Sequence, residues 1–229
     1  MPDHPEIYRS QAEQYEALVS REDYQGRLLP ALQEITSFNN KQVVEFGAGT
    51  GRLTTLVAPL ARFIHAFDSS QHMLDLAAQK LSLSGATNWH TQTADHRRVP
   101  AADHSADVIL SGWSVCYVVV DHPQGWQAEI DKVLTEMKRI LVPGGKTLLI
   151  ETLGTGFGEP HAPEHLVEYF SYLESHGFTR TWLRTDYRFE TIEIARELTK
   201  FFFGEAMLEK ILSDSRGITL PECTGIWSR

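Results

Sequence analysis

Residues 41–52 read Lys41-Gln-Val-Val-Glu45-Phe-Gly47-Ala-Gly49-Thr-Gly51-Arg52. Val43 and Val44 are β-branched and suit a short strand. Glycine then stands at alternate positions, which predicts a tight turn. Without a Cβ, glycine accepts positive φ and lets a ligand lie against the main chain. A helix is expected from Arg52 through Leu56 to Leu60, its first N–H groups unpaired and aimed at that ligand. The dinucleotide fingerprint G-x-G-x-x-G places a third glycine where this chain has Arg52. Here a carboxylate, Glu45, precedes the first glycine instead. A structural strand-to-helix turn with no ligand is the remaining reading.

At 229 residues the chain suits one α/β domain with some elaboration. Apolar residues make up 42%, ordinary for a globular protein. No apolar run approaches the roughly 20 residues of a membrane helix. The start, Met1-Pro-Asp-His-Pro-Glu6, lacks a basic and then an apolar stretch, so no secretion signal is expected and the location is taken as cytoplasmic. A formal net charge of −9 argues against nucleic acid as a partner, since such affinity rests on Lys and Arg. Arg97-Arg98 and Lys138-Arg139 read as solvated faces. The two cysteines, Cys116 and Cys223, are far apart and predict neither a disulfide framework nor zinc. His161 and His165 flank Pro163 without the order of a metalloprotease helix, so no metal is expected.

Outward from the turn, strands and helices alternate. Residues 7–32 read as helical, with breaks at Gly26 and Pro30. Phe63 to Phe67 reads as a strand ending in Asp68, followed by a helix from Gln71 to Leu83 that Gly85 ends. Asn88 to Thr93, Ala106 to Leu110 and Lys146 to Ile150 read as further strands, with a long amphipathic helix over 124–141. This alternation predicts a parallel sheet covered on both faces. Residues 152–163, rich in glycine and proline, read as a mobile loop. A helix over 164–176, a strand over 178–189, a helix over 191–212 and a strand over 220–227 follow, the terminal pair extending the sheet antiparallel.

Open parallel sheets bind ligands beyond the carboxyl ends of their strands. Four such ends carry a distinctive residue here: Glu45 with the glycines, Asp68 about 20 residues on, Asp95, and Ser111-Gly112-Trp113. Asp68 is placed to accept from ribose hydroxyls and Asp95 from an exocyclic amine. Glu45-Phe-Gly-Ala-Gly-Thr-Gly51 resembles motif I of the class I S-adenosylmethionine-dependent methyltransferases of small molecules. Asp68-Ser-Ser-Gln-His-Met73 resembles motif II, Ala94-Asp95-His-Arg-Arg-Val-Pro100 the adenine-contacting segment, and 107–111 and 141–146 the fourth-strand motif and the turn before strand five. Ala94 and Val99 depart from the family's glycine and leucine.

The resemblance implies a Rossmann-like, doubly wound, three-layer α/β/α fold. Its sheet would have seven strands, mostly parallel with the last antiparallel. Residues 1–40 would form a helical cap, 41–151 the cofactor core and 152–229 the acceptor side, within one domain. It implies S-adenosyl-L-methionine as cofactor, S-adenosyl-L-homocysteine as product and a small-molecule acceptor. Gly47, Ala48 and Gly49 would pass the methionine moiety with Glu45 near its ammonium. Ser69 and Met73 would border the adenine, His96 lie next to its ring, and Ser111, Gly112 and Trp113 line the methionine side. Tyr8 and Tyr15, in a Tyr-x-x-x-Ala-x-x-Tyr start, resemble a helical lid. For a proton acceptor, histidine suits neutral pH. His122 and His161 are the candidates, with Tyr117 positioned to orient an acceptor. Trp113, Tyr117, Trp126 and Phe157 suggest an aromatic acceptor pocket. A non-catalytic S-adenosylmethionine-binding module and an NAD-dependent oxidoreductase stay open as alternatives.

Overall fold

A run of β-branched and aliphatic residues buried on both sides makes a central strand, and β1 (Gln42–Phe46) is one: Val43, Val44, Glu45 and Phe46 are all buried. The computed structural model describes residues 4–215 and 217–229. Met1 to Asp3, part of the start read for a secretion signal, lie outside the described residues. After α1 (His4–Ser10), α2 (Ala12–Val19) and α3 (Leu28–Ile35), the chain enters β1, then α4 (Arg52–Val57), β2 (Phe63–Asp68), α5 (Gln71–Leu83), β3 (Trp89–Thr93) and β4 (Ala106–Gly112). Next come α6 (Val115–Asp121), α7 (Trp126–Ile140), β5 (Leu141–Thr155), a 3-10 turn and α8 (Val167–Ser175). The chain closes with β6 (Thr179–Arg184), β7 (Tyr187–Phe189), α9 (Ile192–Phe203), β8 (Leu212–Asp214), β9 (Gly217–Leu220) and β10 (Glu222–Ser228).

Seven strands form one sheet in the order β3-β2-β1-β4-β5-β10-β6. β1 to β5 pair in parallel, and β10 runs antiparallel between β5 and β6. The fold expected from the sequence is therefore the fold observed. Period-two alternation sorts side chains to the two faces. Val44, Phe46, Ile109 and Leu149 face α6, α7 and α8. Val43, Val108, Leu110, Leu148 and Ile150 face α3 and α4.

Several boundaries differ from the sequence reading, each for a local reason. The first helical stretch is three helices. Asp23, at φ 55°, turns the chain and accepts from the N–H groups of Arg27 and Leu28, capping α3. Pro30 does not break α3, because it sits in the first turn, where its missing N–H costs nothing. α4 ends at Val57, short of Leu60. Part of the Gly/Pro-rich loop is strand, as Thr152, Gly154 and Thr155 pair with Thr224, Cys223 and Glu222. Residues 178–189 divide into β6 and β7, which belong to different sheets. Gly204, at φ 89°, ends the long C-terminal helix at Phe203. An unforeseen three-stranded sheet, β7-β9-β8, packs with α9 against Leu18 of α2.

Trp227 of β10 is fully buried and stacks on Phe170 at 4.5 Å between ring centroids. Trp227→Ala is expected to lower unfolding free energy by about 3–5 kcal/mol in urea titrations. A loss under about 1 kcal/mol would show that β10 is not integral to the sheet.

Candidate active site

The carboxyl ends of β1, β2 and β4 open into a cavity of about 920 Å³, at the upper end for small-molecule sites. The glycine turn forms its floor. At Gly47, with φ 70°, a Cβ would fall 1.8 Å from Ser114 Oγ, so only glycine fits. The Gly49 N–H donates to Asp68 Oδ2 at 2.9 Å, and the Ser70 N–H to Oδ1 at 2.8 Å. One carboxylate thus joins the β1 turn to the β2 turn, with lone pairs to spare on both oxygens. Ser70, not Asp68, caps α5 by accepting from Met73 N–H.

Glu45 is buried at the end of β1 and accepts from Thr54 Oγ1 at 2.5 Å. Burial pushes its carboxyl up to about 8, against the pull of the Thr54 hydrogen bond. Ala48, Ser69 and Met73 also line the cavity. Asp95 stands at the rim, held by Arg97: the Arg97 backbone N–H and Nε donate to Oδ1 at 2.8 Å and Nη2 to Oδ2 at 2.5 Å. Hydrogen bonding from Arg97 brings Asp95 down to about 2. Any contact from Asp95 to an adenine amine has to share that carboxylate with Arg97, which also pairs with Glu129 and is no free solvated cation.

His96 lies 2.7 Å from Ser114 Oγ, and burial lowers its pKa. Gly112 and Trp113 line the cavity, but Ser111 does not: it is buried in β4, with an Oγ that has no partner among the described residues. Tyr117 lines the cavity and accepts from the Tyr8 hydroxyl at 2.6 Å. His122 stands at the rim, its Nδ1 3.1 Å from the Val118 carbonyl oxygen and its Nε2 3.4 Å from Arg97. His161 is not part of the cavity; it stacks on Phe157 at 4.0 Å, and its N–H donates to the Leu153 carbonyl. Trp126 and Phe157 are likewise outside, Trp126 buried against Tyr169 and Tyr172. Of the four expected wall aromatics, Trp113 and Tyr117 line the cleft.

Tyr8 spans the cleft. Its carbonyl accepts from Ser70 Oγ at 2.7 Å while its hydroxyl reaches Tyr117. Tyr15 packs edge-on against Tyr8, and Phe202 of α9 lies 5.4 Å from Tyr15. Sequence reading missed Ser114, Arg52 and Thr50. The first lies before α6, whose run Val-Cys-Tyr-Val-Val-Val hides helical character. The other two stood in plain sight within the glycine turn.

Two further carboxyls are pushed up by burial, Glu151 to about 7 and Glu222 to about 8. An unfolded chain releases such protons near pH 4.3, so the unfolded state binds fewer protons and stability falls as pH rises towards 8. His65 and His96, both lowered by burial, act only below about pH 6.5, and Asp95 and Glu129, lowered by hydrogen bonds from cations, act lower still. The melting temperature of the ligand-free protein is expected to drop from pH 6.5 to pH 8, with a smaller drop in Glu45→Gln. A rise over that interval would contradict the buried-carboxyl assignment.

Residues 44–149 match the family described as "Methyltransferase domain". The ubiquinone/menaquinone biosynthesis C-methyltransferase of Geotalea daltonii is 29% identical over 153 residues, 61% of each chain. An uncharacterised methyltransferase of Staphylococcus carnosus is 26% identical over 187 residues, 80% of this chain and 82% of that one. The chain spans 49%, 61% and 20% of the lengths of three curated relatives that it matches. Among solved structures, a SAM-dependent methyltransferase from Aquifex aeolicus superposes with a TM-score of 0.56 at 17% identity, covering 90% of this chain and 93% of that one. Sequence and fold point the same way in likeness: residues 44–149 match a methyltransferase domain, and the chain superposes on a SAM-dependent methyltransferase.

Proposed function

We propose that the chain transfers the methyl group of S-adenosylmethionine to a small-molecule acceptor in the cytoplasm. The observation that carries this reading is the continuity of the cavity. It runs from the Gly49–Asp68 contact to a wall made by Tyr8, Tyr15 and Tyr117, and its volume suits a cofactor together with a second small molecule. Asp68 holds the ribose hydroxyls with its remaining lone pairs, Glu45 faces the ammonium group, and Met73 and Ser69 border the adenine. When bound, the cofactor supplies a sulfonium, an electrophilic methyl on a good leaving group. The protein's part is alignment of the acceptor with that methyl. Tyr117, fixed by Tyr8, is placed to orient an acceptor from α6. Of the candidate proton acceptors, His122 stands at the rim, its Nε2 3.4 Å from Arg97 Nη1.

Formal charge of −9 supports a small acceptor over nucleic acid. Among the described residues no helix is long and apolar enough to cross a membrane. A cavity larger than the cofactor and roofed by α1 favours an enzyme over a binding module without chemistry.

Asp68→Ala is expected to weaken S-adenosylhomocysteine binding at least 100-fold, as two hydrogen bonds to a charged group are lost at about 1.5–3 kcal/mol each. Asp95→Ala, whose carboxylate is shared with Arg97, is expected to cost only about 1–3 kcal/mol. Calorimetry reads both. Affinity retained in Asp68→Ala would contradict the ribose assignment. Formation of S-adenosylhomocysteine over a panel of small acceptors separates the enzyme from the binding module.

A further inference from the structure

The seven-stranded sheet ends in β3 on one side and β6 on the other. In a parallel ladder the N–H and C=O of one residue point to the same side, and successive residues alternate. The Asn88 carbonyl accepts from the Ile64 N–H and the Ala94 N–H donates to the Asp68 carbonyl, so the even-numbered residues of β3 face β2. The N–H and C=O groups of Trp89, Thr91 and Thr93 therefore point out of the sheet. Among the described residues no hydrogen bond reaches that row.

No crossover helix shields this edge. The connections from β1 to β2, β2 to β3 and β4 to β5 carry helices, whereas residues 94–105 pass from β3 to β4 without one. His90 and Gln92 are left exposed, and Leu83, at the end of the helix that leads into β3, is 81% exposed. Edge strands are ordinarily guarded by charge, proline or a bulge. At the opposite edge β6 carries Arg180 and Arg184. β3 reads Trp-His-Thr-Gln-Thr, with no Lys, Arg, Asp, Glu or Pro, and its register with β2 has no bulge.

We propose that β3 is a self-association edge, through which two copies of the chain pair antiparallel about a two-fold axis at Thr91 and join their sheets into one. Charge selects a second copy as the occupant. The chain carries a formal net charge of −9, so two copies repel unless they meet on a surface free of carboxylates, and the outward row is such a surface. Symmetry selects it as well, because the row is its own complement. Centred on Thr91, it sets Thr91 opposite Thr91 of the second copy and Trp89 opposite Thr93. Each of these pairs then exchanges two N–H···O bonds. An aromatic facing a β-branched residue across strands adds to the contact. The edge lies outside the cofactor cleft, and the inference does not depend on the proposed reaction.

Sedimentation velocity of the full chain, with no ligand added, tests the proposal. The wild type is expected to sediment at twice the chain mass. Thr91→Pro removes the central outward N–H and no bond to β2. It is expected to sediment as the monomer with the wild-type circular dichroism. Thr91→Cys is expected to form an interchain disulfide on mild oxidation, because the axis sets the two copies of that position face to face. Gln92→Cys, opposite His90, is not. Cys116 and Cys223 are buried, so the bridge reports position 91. Should Thr91→Pro fail to fold, cross-linking at position 91 decides alone. A wild type that stays monomeric would overturn the proposal and leave the edge to an extended segment of another protein. A dimer that survives Thr91→Pro, or that Thr91→Cys does not cross-link, would place the contact elsewhere and overturn it too.

Discussion

The Asp68 carboxylate accepts one hydrogen bond from the Gly49 N–H and another from the Ser70 N–H, and the arrangement of the cleft follows from that pair of contacts. Parallel pairing of β1 with β2 brings the two strand ends side by side, but pairing alone leaves the loops beyond them free. The shared carboxylate removes that freedom. It sets the glycine turn against the start of α5, where Ser70 caps the helix and also donates to the carbonyl of Tyr8. The roof of the cleft is thus tied to its floor through two adjacent turns.

Electrostatics and packing agree at this site. Glu45 is buried beside the Thr54 hydroxyl, and that burial raises its carboxyl to about 8. Gly47 leaves room for Ser114 and so lets α6 approach the turn. Helix α6 then delivers Tyr117 to the hydroxyl of Tyr8. A backbone constraint at one residue in this way positions side chains from the N-terminal helices and from the fourth crossover.

Much of this was legible in the sequence because it depends on local rules. The order of strands, the glycine turn, and the acidic residues at the ends of β1, β2 and β3 all follow from periodicity and spacing within short windows. What escaped depends on contacts distant in sequence. Arg97 looks like a solvated cation until Glu129 arrives from α7 to hold it beside Asp95. The β-branched run from Val115 carries no helical signal by composition, yet it folds as α6. Histidine at 161 sits in a segment whose glycines suggest a loop at the mouth. Pairing of Thr155 with Glu222 instead draws that segment along the sheet. The small sheet of β7, β8 and β9 joins residues up to 33 positions apart, a pairing that spacing alone does not specify.

A crystal structure of the protein with S-adenosylhomocysteine tests the central claim most directly. The account predicts an adenosine lying across the tips of β1 and β2, with both ribose hydroxyls on Asp68 and the amino-acid tail running along Gly47. A ligand bound elsewhere, or an Asp68 carboxylate turned away from the ribose, would contradict it.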